Sequence, residues 1–118
     1  MKKRCSWCNL KNPLYVQYHD HEWGIPVHDD AKLFEFLILE SFQAGLSWET
    51  ILNKRENFRR AFDGFSPECI RNYGAAKIEA LMQDPSIIRN RRKIEAAIGN
   101  AQTFLRIQAE WGSFDTYI

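Results

Sequence analysis

Cysteine is scarce in this chain of 118 residues: there are three, an odd number, too few for a disulfide framework, so the thiols read as core residues or metal ligands. Proline (four) and glycine (six) are also sparse and stand singly where elements would end. That excludes low-complexity tracts and linkers, and no internal repeat is visible, which leaves one compact unit. Neither sign of charge dominates. With 16 basic and 15 acidic residues the net charge is +1, so binding of nucleic acid must come from local clustering. No apolar run approaches the roughly 20 residues that span a bilayer, and no membrane partner is expected. The opening MKKRCSWC is basic but leads into NLKNP, without the apolar stretch and cleavage site of a secretory signal. A cytoplasmic location is the expectation.

What is present is helical. The chain is 45% hydrophobic and long enough to bury roughly two-thirds of its unfolded surface. No segment alternates with period two for long enough to be a strand, so the expected fold is all-α, an irregular bundle of about five helices. Residues 1–28 read as a loop-rich N-terminal segment and 29–118 as helical, together one domain. Asp29 or Asp30 can cap a helix to about Gln43, which Gly45 ends. Ser47 can cap a second helix in which Trp48, Ile51, Leu52, the Arg55 stem, Phe58 and Phe62 share a face up to Asp63-Gly64. Ser66-Pro67 starts a short third helix and Ala75–Met82 is a fourth. Asn90 caps a fifth, with Ile94, Ala97, Ile98, Ala101, Phe104, Leu105 and Gln108 on one stripe down to Trp111-Gly112.

Three groups of residues could carry chemistry. In LFEFLILESFQAGLSWETIL, Glu40 falls on one helix stripe with Leu33, Leu37 and Ala44, which predicts a carboxylate facing the core. Trp7, Tyr15, Tyr18, Trp23 and Trp48 crowd the same half of the chain. With Glu40 they can wall a pocket for a flat, cationic purine, or they can be core aromatics with Glu40 turned to solvent. Cys5-x-x-Cys8 lies near His19, His21 and His28, a zinc-ligand composition whose spacing is unlike a common finger; ordinary histidines and a partly buried thiol are the alternative. Arg89-Asn90-Arg91-Arg92-Lys93 puts four cations at a helix N-terminus, against the macrodipole. They suit bound phosphates, or a solvated charged turn.

These groups occur together in one family. Arg4-Cys5-x-Trp7, Pro13-Leu14-Tyr15, Tyr18-His19-Asp20-x-Glu22-Trp23-Gly24-x-Pro26 and Leu39-Glu40-x-x-Gln43-Ala44-Gly45-Leu46-Ser47-Trp48 come in this order. Lys54-Arg55-Glu56-Asn57-Phe58, Ile87-Ile88-Arg89-Asn90-Arg91-x-Lys93-Ile94 and Gly99-Asn100-Ala101 follow. Over nearly its whole length the sequence resembles the constitutive, type I 3-methyladenine DNA glycosylases of the helix-hairpin-helix superfamily. The resemblance implies an enzyme of base-excision repair that binds alkylated double-stranded DNA, flips out 3-methyladenine and hydrolyses its N-glycosidic bond. It also implies that Glu40, Tyr18 and Trp48 line the base pocket with Trp7 and Trp23 close by. Glu40 is then the catalytic carboxylate, in the sense of selectivity and electrostatic help and not as a nucleophile. Arg89, Arg91, Arg92 and Lys93 are expected on the DNA backbone.

Two departures qualify this. The family's structural zinc is held by residues matching Cys5 and His19 together with a C-terminal His/Cys pair, and the sequence stops at Thr116-Tyr117-Ile118, before that pair. It also stops before the helix-hairpin-helix. About the last third of the fold is expected to be missing, zinc is expected to be weak or absent unless Cys8 and His21 substitute, and apolar faces left uncovered predict self-association. The competing reading is a non-catalytic remnant, a helical module that binds a purine, a metal or a protein.

Overall fold

The computed structural model describes residues 9–23 and 27–117, and within them every regular element is helical. The first, α1 (Pro13–His21), lies inside the segment expected to be loop. Its start is nonetheless local chemistry: Asn12 accepts from the Leu14 amide at 3.1 Å, and Pro13 occupies the first position, where no amide is needed. Tyr15 and His19, one turn apart, face inward. Because α1 is short and its outer positions are mixed, it shows no clean apolar period in the sequence.

Helix α2 (Asp30–Gln43) is the centre of the molecule, capped by Asp29 through the Ala31 amide and burying Phe34, Glu35, Ile38, Leu39 and Phe42. It ends where Gly45 takes φ +82°, a conformation that favours glycine. The single helix expected after Ser47 is two. Ser47 caps α3 (Trp48–Asn53) through the Thr50 amide, and at Lys54 (φ −103°, ψ 4°) the ladder breaks before α4 (Arg55–Ala61). The break sets Arg55 at the first position of α4, where its guanidinium reaches Glu22 and Glu35. A 3₁₀ turn, Asp63–Phe65, follows with positive φ at all three residues. Burial of Phe65 and a hydrogen bond from the Tyr73 hydroxyl to Asp63 hold this costly conformation.

Ser66 caps α5 (Pro67–Ile70), α6 runs Ala75–Met82, and Asn90 caps α7 (Arg91–Trp111) through the Lys93 amide, as expected. Ile94, Ala97, Ala101 and Phe104 of α7 pack on α2, with Phe34 and Phe104 rings 4.9 Å apart. Phe42, Phe58 and Phe62 fill the other end of the core at 4.8–6.0 Å.

A last helix, α8 (Phe114–Tyr117), is a single turn that Ser113 caps through the Thr116 amide at 3.0 Å and that Asp30, 84 residues away from Phe114, also caps. Asp30 accepts from the Phe114 amide at 2.8 Å, the Asp115 amide at 3.0 Å and Gln108 Nε2 at 2.8 Å. Burial opposes ionisation of Asp30, but these three donors outweigh it and hold the carboxyl below its usual pKa. A group so depressed contributes stability above its unfolded pKa of about 3.9 and loses it as pH falls through the lower folded value. Acid titration of an Asp30→Asn variant against the parent should show the stability gap narrowing below about pH 4; a gap independent of pH would refute the assignment.

Candidate functional site

Helices α1 and α3 pack through Tyr15 and Leu52, and at one end of this seam three rings converge. Tyr18 of α1 stands edge-on to Trp48 of α3 at 5.6 Å and to Phe36 of α2 at 6.5 Å, and Phe36 and Trp48 are 6.5 Å apart. The Trp48 indole Nε1–H is buried without a hydrogen-bond acceptor in good alignment, though it lies close enough to the Tyr18 oxygen to favour the phenolate slightly. Burial and the negative charges of Glu22 and Glu40 outweigh that effect and raise the Tyr18 pKa, so the hydroxyl keeps its proton at neutral pH. The cluster thus combines aromatic faces, a hydroxyl donor and an indole donor with no well-aligned acceptor among the described residues.

Glu40 does not sit as its periodicity suggested. It is exposed, as is Ala44, and Leu33 and Leu37 are only partly buried; the core stripe of α2 is Phe34, Ile38, Leu39 and Phe42. The carboxylate inside the protein is Glu35, 7% exposed. Tyr18 and Trp48 are in contact, and the Glu40 carboxylate, exposed on α2, contributes to the electrostatic field at Tyr18. Trp23 is 49% exposed and stacks on His19 at 5.5 Å, interplanar angle 11°. Trp7 lies outside the described residues.

The sequence did not flag the charged network beside this cluster. Arg55 donates to both oxygens of Glu22 at 2.8 and 2.9 Å and to Glu35 at 2.9 Å, and Arg59 donates to the other oxygen of Glu35 at 2.9 Å. Burial opposes the charge on Glu22 and Glu35, but the guanidinium groups prevail and keep both pKa values low. A guanidinium on the core register of a helix was the available signal, since such a charge needs buried partners of opposite sign. These residues border a cavity of about 530 Å³ lined by Tyr18, His21, Glu22, Lys32, Arg55 and Arg59 among others; of the expected pocket residues that are described, Tyr18 alone is on its wall.

The zinc ligands divide. Cys5 and Cys8 lie outside the described residues. His19 is buried with Nδ1 3.2 Å from Asp20, the kind of partner that orients a ligand imidazole. His21 is two positions on along α1, turned about 200° from His19 and exposed toward the cavity, so the two do not face one ion. Among the described residues no three His, Cys, Asp or Glu side chains converge as a metal site.

Of the basic run, two cations are committed to the fold. Lys93 Nζ donates to the carbonyls of Phe42 (2.8 Å) and Ala44 (2.6 Å), where it neutralises the negative end of α2. Arg91 pairs with Glu79. Arg89 and Arg92 are exposed and make no ion pair among the described residues. The charge that opposes the dipole of α7 therefore serves α2 in part.

Residues 7–118 match the family model for methyladenine glycosylases. The chain is similar to DNA-3-methyladenine glycosylase 1 of Escherichia coli K12, with 46% identity over 116 residues that cover 98% of this chain and 62% of the relative. A crystal structure of 3-methyladenine DNA glycosylase I superposes with TM-score 0.93 at 46% identity, covering 98% of this chain and 63% of that one. A variant of such an enzyme in complex with 3-methyladenine superposes with TM-score 0.88 at 45% identity, covering 91% and 57%. The chain thus spans a little under two-thirds of the relatives it matches, and no helix among its described residues is long and apolar enough to cross a membrane. With its sequence and its helical fold in agreement, this chain belongs to the methyladenine glycosylase family.

Proposed function

We propose that this chain acts in DNA base-excision repair, hydrolysing the N-glycosidic bond of 3-methyladenine flipped out of alkylated double-stranded DNA. The observation that carries the reading is the Tyr18–Trp48–Phe36 cluster, whose buried indole N–H has no well-aligned acceptor among the described residues, in a chain similar to an enzyme solved with 3-methyladenine bound. Methylation at N3 makes the base a cation. When the C1′–N9 bond breaks, its electron pair returns to the base, which leaves neutral, and water adds to C1′ and loses a proton. The protein therefore needs to hold the base out of the stack more than to push electrons. Aromatic faces and the Glu40 carboxylate favour a flat cation, and the protonated Tyr18 hydroxyl donates to its edge.

Arg89, Arg92 and, once released from Glu79, Arg91 supply the contacts to DNA phosphates, while Lys93 acts through the α2 terminus. A Cys5/His19 half-site for a structural zinc belongs to the same reading, with His19 already oriented by Asp20. So does self-association through exposed Leu14, Trp23 and Trp111.

The test is release of free 3-methyladenine from methylated duplex DNA, quantified by chromatography. Glu40→Gln removes one charge-assisted contact and should lower free-base affinity and release roughly 10- to 100-fold. Release that Glu40→Gln leaves untouched would remove that role. In the same preparation, neutralising Arg89 and Arg92 together should reduce the slope of log K against log salt by about 0.9 per lost phosphate contact. Base binding without release by the parent chain would make it a binding module instead of an enzyme.

A further inference from the structure

Glu22 closes α1, donating its amide to the Tyr18 carbonyl at 2.9 Å, so the carboxylate of Glu22 and the ring of Tyr18 belong to the same final turn. That carboxylate is held on both oxygens by Arg55 at 2.8 and 2.9 Å. The other edge of the guanidinium, Nε at 2.9 Å together with Nη2, is held by Glu35 of α2. Its face lies 5.2 Å from the centre of the Phe36 ring, the third member of the aromatic cluster. Arg55 is therefore fixed on both edges and one face by the two helices that carry Tyr18 and Phe36, while its own backbone follows directly on α3, which carries Trp48.

Stability does not require this arrangement. The Arg55 and Glu35 side chains are only 14% and 9% exposed, and burying charge costs so much desolvation that apolar side chains of similar volume commonly do as well or better. What a guanidinium supplies, and a Leu or a Lys does not, is a rigid planar fork with two set edges and a stacking face.

We propose that Arg55 is a positioning residue, whose guanidinium between Glu22, Glu35 and Phe36 sets the separation and angle of the Tyr18 and Trp48 rings against which a flat base would pack. The proposal rests on the reading of those two rings as the base pocket, and its test separates the two. In the whole chain labelled with nitrogen-15, the Trp48 Nε1–H resonance is identified by its loss in Trp48→Phe. Arg55→Lys keeps the charge without the fork; Glu22→Gln keeps the shape and leaves Arg55 paired with Glu35, which guards against loss of the fold.

Both variants should keep the parent's helical circular dichroism and a cooperative melt, yet shift or broaden the Trp48 signal. Both should also weaken calorimetric binding of free 3-methyladenine about tenfold, one such charge-assisted bond. Glu79→Gln, on the distant pair with Arg91, should change neither. An unchanged Trp48 signal in folded variants overturns the positioning role. Loss of cooperative melting in both overturns it too, because the network would then hold the fold and not the geometry of the two rings. If the parent chain fails to bind 3-methyladenine, the base-pocket reading falls, and the Trp48 signal still decides whether Arg55 sets the two rings.

Discussion

Arg55→Ala is expected to destabilise this chain by about 3–5 kcal/mol at neutral pH, the range for removing one partner of a buried ion pair. The guanidinium satisfies two carboxylates at once. Without it Glu35, 7% exposed, keeps Arg59 alone among the described cations, and Glu22 keeps Lys32 alone among them, at 3.7 Å. The cost comes from the stranded anions, so protonation should relieve it. In the parent both carboxyls have lowered pKa values and contribute stability above the unfolded value of about 4.3, losing it as pH falls through the folded values. The variant has lost most of that contribution already. Urea unfolding at pH 7 and near pH 4 should therefore show a penalty that shrinks on acidification. A penalty below about 1 kcal/mol at pH 7 would mean that water or Arg59 replaces the lost donors.

Phe42→Ala should cost a similar amount by a different route, about 3–5 kcal/mol, and lower the melting temperature by roughly 10–20 °C. Phe42 is fully buried, with Phe58 at 4.8 Å and Phe62 at 5.6 Å, so truncation leaves a cavity walled by two rigid rings that collapse poorly. This loss should be nearly independent of pH, since no titrating group is exposed by it. Leu10→Ala, at a side chain 65% exposed, should stay within about 0.5 kcal/mol. Thermal melts of the two variants distinguish core from surface; equal shifts would contradict the packing described here.

The two predictions differ in how far the sequence anticipated them. Phe58 lies on the apolar face that the sequence marks with Trp48, Ile51, Leu52 and Phe62, and the structure buries it. Glu35 and Glu40 are a harder case. Helix α2 is apolar on almost every side, so two stripes compete: one through Leu33, Leu37 and Glu40, the other through Phe34, Ile38 and Phe42. Periodicity has no means of choosing between them. Packing of α7 onto α2 makes the choice, and it turns Glu35 inward and Glu40 out.

By itself the sequence determined what depends on neighbours in the chain. The caps at Asp29, Ser47, Ser66 and Asn90 are hydrogen bonds to amides two or three residues on, and the turn at Gly45 is a property of one residue's backbone. The all-helical class and the ordered family motifs are legible for the same reason. Only the tertiary structure decided the break at Lys54, the cap that Asp30 gives to α8, the use of Lys93 on the end of α2, and the enclosure of Arg55 by Glu22 and Glu35. Each of these satisfies a charge or a chain terminus with a partner that is remote in sequence or set by where a helix ends. Burial leaves such groups no water to fall back on, and which partner arrives depends on how the helices pack.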